Sequence, residues 1–559
     1  MPEPTAPRLR RWFSGAVTVV SCLLVWSALV IPSEIAHLSP ASFVRVPLEG
    51  LVFFALVLLL GPRWRRSAAV LFGLLLGLLL VLSVLDHAFD TFLDRPFDPL
   101  IDWKLFDSAV EVFGDSVGHD AAVATAIGAG VAVAALLVVL PLSAVRVSTL
   151  AASHRTTTIR AVGALGVVWA LSAVSGLQFV SGAPVASVSA ASMTYDEVSR
   201  IESSLADRRT FAAEIGRDDF ADLPAAQLVS GLQGKDVLLV FVESYGRVAV
   251  EGSSFSPGIE AVLDSGTKRL RAAGYSTRSA WMTSPTYGAG SWLAHSSVQS
   301  GLWVDSEQRY AQLLDSDRMT LTHVFDRAGW RTVFDVPANT RDWPEGERFY
   351  DMDQLYDSRN FGYQGPAFSY GDMPDQYTLE HFRRLELAPQ DRPLVMAEID
   401  LVSSHHPWTP VPRMVPWKDV GDGSVFEGMT DQGPSKDVVF RDDEAVREVY
   451  GESIEYSLSA LISFLATYPD PDLMLVVLGD HQPHNYVSGD DAGHDVPVTV
   501  IAADPAVMHR IGSWDWVPGM RPTSAAPVWT MDSFRDRFFT AFRARHLADD
   551  AQSAAGSSD

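Results

Sequence analysis

The chain has 559 residues, 47% of them hydrophobic, with a formal net charge of −25 and one cysteine. That acidity excludes nucleic acid as a partner, and it excludes adhesion to an anionic surface through a basic patch. A lone cysteine, Cys22, excludes a disulfide framework.

The apolar residues crowd into the first third. Five stretches, 12–31, 43–60, 68–85, 121–142 and 161–180, are long and apolar enough to test as membrane spans, so residues 1–182 read as a transmembrane domain. The second is the weakest. Its uninterrupted core, Leu51 to Leu60, is short, and Arg45 and Glu49 stand near its start, which leaves a re-entrant or snorkelled segment as the alternative. Arg8, Arg10 and Arg11 precede the first stretch; Arg63, Arg65 and Arg66 follow the second; Arg146, Arg155 and Arg160 lie between the fourth and fifth. These basic segments read as cytoplasmic, whereas Pro32 to Ser42 and Asp86 to Asp120 are poor in Lys and Arg. Five crossings from a cytoplasmic N-terminus put everything after Val180 outside: a multi-pass protein of the cell membrane with an extracytoplasmic domain. A cleaved signal peptide is the competing reading of the first stretch, disfavoured by the four that follow it.

Residues 183–233 read as a juxtamembrane linker with helical periodicity around Tyr195 to Ile215. From 234 to 547 short β-branched runs alternate with longer helical patterns: Val237 to Glu243, Tyr275 to Met282, Arg331 to Val336, Pro393 to Val402, Leu473 to Asp480 and Val496 to Ala503. Such alternation predicts an α/β domain with a mostly parallel sheet covered on both faces. Trp514 to Pro527 reads as a surface loop, Met531 to Leu547 as an amphipathic closing helix, and 548–559 as a disordered tail. In this architecture chemistry collects beyond the carboxyl ends of the strands. Glu243-Ser244, Asp400 followed by His405-His406, and Asp480-His481 all fall there.

Four segments, DVLLVFVESYGR (Asp236 to Arg247), TYGAGSWLAHSSVQSGL (Thr286 to Leu302), SSHHPW (Ser403 to Trp408) and VLGDHQP (Val477 to Pro483), carry a resemblance to a known family. The chain resembles the alkaline-phosphatase and sulfatase superfamily, in its membrane-bound branch of lipoteichoic acid synthases and phosphoglycerol or phosphoethanolamine transferases. That branch also has five N-terminal spans before an extracytoplasmic catalytic domain. The resemblance implies Glu243 as first metal ligand, Ser291 as metal-bound nucleophile, and Asp480 with His481 as the remaining ligands. Carboxylate and imidazole suit Mn2+, Zn2+ or Mg2+, and a nearby dication lowers the pKa of a hydroxyl nucleophile. Transferases of the branch usually have Thr where this chain has Ser291; Ser284, Thr286, Ser296 and Ser297 are the neighbouring alternatives. No C/S-x-P-x-R motif for a sulfatase formylglycine is present, which favours phosphorus over sulfur.

The resemblance also suggests Asp400, His405 and His494 as ligands of a second ion or as substrate-binding groups. His406 and His484 read as satisfied or solvated neighbours. In GWRTVFDVPANTRDW (Gly329 to Trp343) a family histidine is replaced by Asp335 or Val336, and Arg341 and Trp343 are candidates for contacting the headgroup. The implied activity is transfer of a phospholipid headgroup from a membrane lipid donor to an envelope glycan, glycolipid or polymer through a covalent serine intermediate. Its alternatives are a phosphodiesterase, phosphatase or sulfatase-like hydrolase, and a non-catalytic sensor or assembly protein.

Overall fold

The structure, a computed structural model, describes residues 6–30, 45–93, 95–99, 101–104, 106, 110, 119–180, 183–368, 371, 373–489 and 491–544. The predicted loop Pro32 to Ser42, Asp94 and the predicted tail 548–559 lie outside the described residues. The chain divides into two compact units, Met1–Ala206 and Asp207–Asp559. The second therefore takes in part of the segment expected as a linker, because Phe220, Leu228 and Leu232 are buried in its core.

The first unit is helical: α1 (Ala6–Val30), α2 (Leu48–Leu59), α3 (Pro62–Leu93), α4 (His119–Ser153) and α5 (Arg155–Ser175), followed by α6 (Ser189–Ile215), within which the unit boundary falls. Among the described residues four helices are long and apolar enough to cross a membrane, not five: Trp12–Val30, Pro62–Thr91, His119–Ser153 and Arg155–Ser175. The second predicted span corrects to the 12-residue α2. Pro47 stands at its N-cap in extended conformation, so the helix begins only after it. Residues Val46–Pro47 instead pair in parallel with Ala186–Ser187. Both ends of α2 are held: Ala191 N donates to Glu49 Oε1 at 2.9 Å, and Arg155 Nη1 donates to the Leu58 carbonyl at 2.9 Å. Helices α3 and α4 meet backbone to backbone. A Cβ on Gly73 would lie 2.5 Å from the Cα of Pro141, so only glycine permits this crossing.

The second unit is built on a nine-stranded sheet. Its strands are β1 (Asp236–Val242), β2 (Ser276–Thr283), β3 (Arg331–Val336), β4 (Gln354–Asp357), β5 (Val395–Leu401), β6 (Leu473–Gly479), β7 (Asp495–Ala502), β8 (Val517–Pro518) and β9 (Val528–Thr530). The order is β8-β2-β7-β6-β1-β5-β3-β4, with β9 also on β2. From β6 to β4 every pairing is parallel, and β7 runs antiparallel to both β6 and β2. All six sequence-predicted strands form. They are apolar along their length because both faces are covered. Leu238, Val240 and Val242 face one core with α10 (Asp443–Thr467), while Val237, Leu239 and Phe241 face the other with α8 (Ser291–Ser300) and α11 (Ser533–Phe542); α7 (Ser256–Ala272) and α9 (Asp375–Phe382) join the first core. The segment expected as a surface loop, Trp514 to Pro527, is packed instead. Trp514 and Trp516 pack tilted or edge-on against each other and Trp529 and are buried, since β8 hydrogen-bonds to the sheet and draws its flanking indoles into the second core.

Candidate metal centre and nucleophile

Alternation along the strands decides which polar side chains share a face. Phe241 lies in the α8-side core, so Glu243, two residues on, faces α8 as well; Leu478 does the same for Asp480, and Met396 for Glu398 and Asp400. Four carboxylates at the ends of three adjacent parallel strands therefore converge beneath the helix that begins at Ser291.

The turn leading into α8 contains Gly288 and Gly290 with φ of 71° and 84°. These left-handed positions, which glycine occupies without strain, turn the chain so that Ser291 opens the helix toward the strand ends. Ser291 Oγ donates to Glu243 Oε2 at 3.0 Å and lies 3.4 Å from His481 Nε2. The alternative hydroxyls are engaged elsewhere or buried. Ser296 and Ser297 donate to the Leu293 carbonyl, Ser284 donates to the Asp480 carbonyl, and Thr286 is buried.

Glu243, Asp480 and His481 are buried together, with one ligand atom from each within 4.8 Å of the others. Asp480 Oδ1 accepts the backbone N–H groups of Ser244 and His481, both at 2.7 Å, which leaves Oδ2 buried and without a partner. His481 Nδ1 faces the Gln482 carbonyl at 2.7 Å. That contact assigns the proton to Nδ1 and directs the Nε2 lone pair toward Glu243 Oε1 at 3.5 Å and Asp480 Oδ2 at 3.7 Å. Burial, reinforced by Glu243, pushes the Asp480 carboxyl up to about 6 although His481 draws it down. An orphaned buried carboxylate oxygen, an oriented imidazole and two further oxygens fit a divalent ion in chemistry and spacing. The surrounding backbone is equally specified: a Cβ on Gly479 would meet the Tyr245 carbonyl oxygen at 1.9 Å.

The other sequence candidates separate. Asp400 joins a second group, with His295 and Glu398. Among the described residues His405 and His494 belong to neither group. His405 Nδ1 turns back to the His406 carbonyl at 2.6 Å, and His494 Nδ1 to the Ser284 carbonyl at 3.2 Å. The trio Asp400, His405 and His494 is thus not gathered into one cluster. His406 packs against Trp408 and Phe440, where burial lowers its pKa to about 3. Arg341 is exposed; Trp343 is half-buried with its ring near Phe334 and Tyr350.

Three residues absent from the sequence reading, His295, Gln299 and Glu398, lie beside Asp400 and beneath the start of α8. His295 lies one helical turn after Ser291, stacked on Phe241 at 3.7 Å between ring centroids, with Nδ1 3.1 Å from Glu398 Oε1. Gln299, a turn further, donates to Glu398 Oε2 at 2.7 Å. Burial opposes the imidazolium of His295, but Asp400 and Glu398 outweigh it and push its pKa up to about 9. The spacing of 291, 295 and 299 on one helix face, and a glutamate inside the apolar run of β5, were the signals that could have found them.

No family model and no curated protein matches the chain. Among solved structures it is similar to the lipoteichoic acid synthase LtaP from Listeria monocytogenes, at 14% identity over 57% of this chain and 74% of that chain with a TM-score of 0.36. It is also similar to the Streptococcus pyogenes phosphoglycerol transferase GacH in complex with sn-glycerol-1-phosphate, at 12% identity over 62% and 82% with a TM-score of 0.36. A third is the C-terminal periplasmic domain of EcEptC from Escherichia coli in complex with Zn, at 12% identity over 54% and 80% with a TM-score of 0.34.

Proposed function

We propose that this chain is a metal-dependent phosphoryl-group transferase that moves a phospholipid headgroup, of phosphoglycerol or phosphoethanolamine type, to a hydroxyl of a cell-envelope glycan, glycolipid or polymer. The observation that carries the reading is Ser291 Oγ, 3.0 Å from Glu243 Oε2 and beside His481 at the start of a helix. A divalent ion held by Glu243, Asp480, His481 and Ser291 would supply positive charge that lowers the hydroxyl pKa and offsets charge on the phosphoryl oxygens.

The residues themselves account for the rest. Ser291 directs its hydrogen to Glu243, which frees the oxygen lone pair for in-line attack on phosphorus. The bond from phosphorus to the diacylglycerol oxygen breaks, and that oxygen leaves with a proton. In the second half an acceptor hydroxyl attacks the seryl phosphodiester, gives up its proton and releases Ser291. The N-terminal end of α8 would favour the anionic group being transferred.

Anchoring suits a lipid donor, which then diffuses in two dimensions beside the site. The outside orientation rests on the arginine clusters and on an odd number of crossings, which requires the α2 segment to complete one. Twelve helical residues span about 18 Å, and the extended residues 45–47 add about 10 Å, together close to the hydrocarbon thickness of about 30 Å.

The test is incubation of the full chain in detergent with headgroup-labelled phosphatidylglycerol or phosphatidylethanolamine, followed by peptide mass analysis. A headgroup phosphate adduct on Ser291, with release of diacylglycerol, supports the reading. An adduct on another residue overturns the nucleophile, and release of free headgroup phosphate at a rate unaffected by acceptor glycan identifies a hydrolase instead.

A further inference from the structure

We propose a second divalent-cation site, one helical turn below Ser291, formed by His295 Nδ1, Glu398 Oε1 and Asp400 Oδ1. This is a statement about metal occupancy and goes beyond the transfer reaction. His295 Nδ1 lies 3.1 Å from Glu398 Oε1 and 3.6 Å from Asp400 Oδ1. Edges between ligand atoms in a tetrahedral N/O site with bonds of about 2.0 to 2.1 Å are about 3.3 Å. The separations bracket that value, as do the 3.0 to 3.7 Å separations around Glu243, His481, Asp480 and Ser291.

Two further observations point to a ligand. Asp400 Oδ1 is buried and has no hydrogen-bond partner, so one corner of the group is a desolvated acceptor facing an imidazole nitrogen. Glu398 is held as ligating carboxylates are held. Gln299 Nε2 donates to its far oxygen at 2.7 Å, and the orientation of that amide is fixed because Gln299 Oε1 accepts from both the N–H and the hydroxyl of Thr322 at 3.2 Å. The His295 ring is fixed by its stack on Phe241.

Charge supports the same site. Glu243, Asp480, Glu398 and Asp400 face one helix at adjacent strand ends, and buried charge is retained only when it is paired. A dication among Glu243, Asp480 and His481 offsets two of the four carboxylates; the other two face only the His295 imidazole, whose Nδ1 proton a second dication would displace while supplying twice the charge. One imidazole nitrogen and two carboxylate oxygens select a borderline ion such as Zn2+ or Mn2+.

The experiment is metal analysis of the full-length chain in detergent, with Zn2+ titration of the chelator-stripped protein. Two ions per wild-type chain are expected. Asp480→Asn should lose one and Asp400→Asn the other, and Gln299→Leu should weaken only the second by about 10- to 100-fold. A wild-type titration that saturates at one equivalent, with that ion lost in Asp480→Asn and retained in Asp400→Asn, overturns the proposal. The wild-type stoichiometry decides even if a variant fails to fold.

Discussion

Ser291 and Glu243 meet across 3.0 Å, joining the first residue of a helix to the residue that follows the central strand. The contact depends on the phase of α8. His295 and Gln299, on the same face at successive turns, both bond to Glu398, so the strand neighbouring β1 fixes the rotation of the helix that presents Ser291. Substituting Ser291 by Ala is expected to reduce turnover of labelled phospholipid on the order of 10⁴- to 10⁶-fold. Ser291→Thr keeps a hydroxyl at the same place and should retain measurable turnover. An Ala variant with undiminished activity removes Ser291 from the chemistry.

Asp480 illustrates how metal binding and activity separate from folding. Its Oδ1 caps two backbone N–H groups and its Oδ2 has no hydrogen-bond partner. Asp480→Asn can keep the first role through its carbonyl oxygen and loses the anionic second. The expected result is a folded protein, by circular dichroism, with one ion fewer per chain and activity reduced by at least about 10³-fold.

Much of this was legible in the sequence, for identifiable reasons. The six central strands announce themselves because both faces of the sheet are covered and each strand is continuously apolar. Glu243, Asp480 and His481 stand where such runs stop, which is why they could be named. The second group was not legible as a unit. Glu398 sits inside its strand, and His295 is brought to it by the turn at Gly290, across a sequence separation that no local pattern encodes. The resemblance also suggests His405 and His494 beside Asp400; each holds its Nδ1 against a nearby carbonyl, as His481 does, and among the described residues neither lies in the group that contains Asp400. The α2 helix is shorter than the apolar run that contains it because Pro47 sets its start, and hydropathy does not register that Glu49 finds a backbone partner at Ala191.

Gly479 offers a prediction about packing. It ends β6 just before Asp480, and an added methyl would stand 1.9 Å from the Tyr245 carbonyl oxygen, a backbone atom. Gly479→Ala must displace either the strand end or the turn after β1. A destabilisation of about 1 to 3 kcal/mol is expected, read as a lowered Tm together with loss of the ion at Asp480. Unchanged Tm and metal content would show that the strand end has room to move.

Asp375 links pH to stability at the segment leading to His405. It is fully buried, its backbone N–H donates to Ser403 Oγ, and Ser403 N donates to its Oδ1, each at 2.9 Å. Burial outweighs those hydrogen bonds and the contribution of Ser457, and raises its carboxyl to about 6. The sign follows from proton counting. Between the unfolded pKa of about 3.9 and about 6, the folded state holds a proton that the unfolded state has released. The stability this group contributes is therefore greatest below about pH 4, declines as pH rises to about 6, and is flat above. Asp375→Asn carries no titrating group and keeps an acceptor for Ser403. Relative to wild type it should gain on the order of 2 to 3 kcal/mol on going from pH 4 to pH 7. Thermal unfolding of both proteins at the two pH values checks this, since any constant cost of the new amide cancels in the comparison. Parallel Tm profiles for wild type and variant would place the titration of Asp375 outside this range.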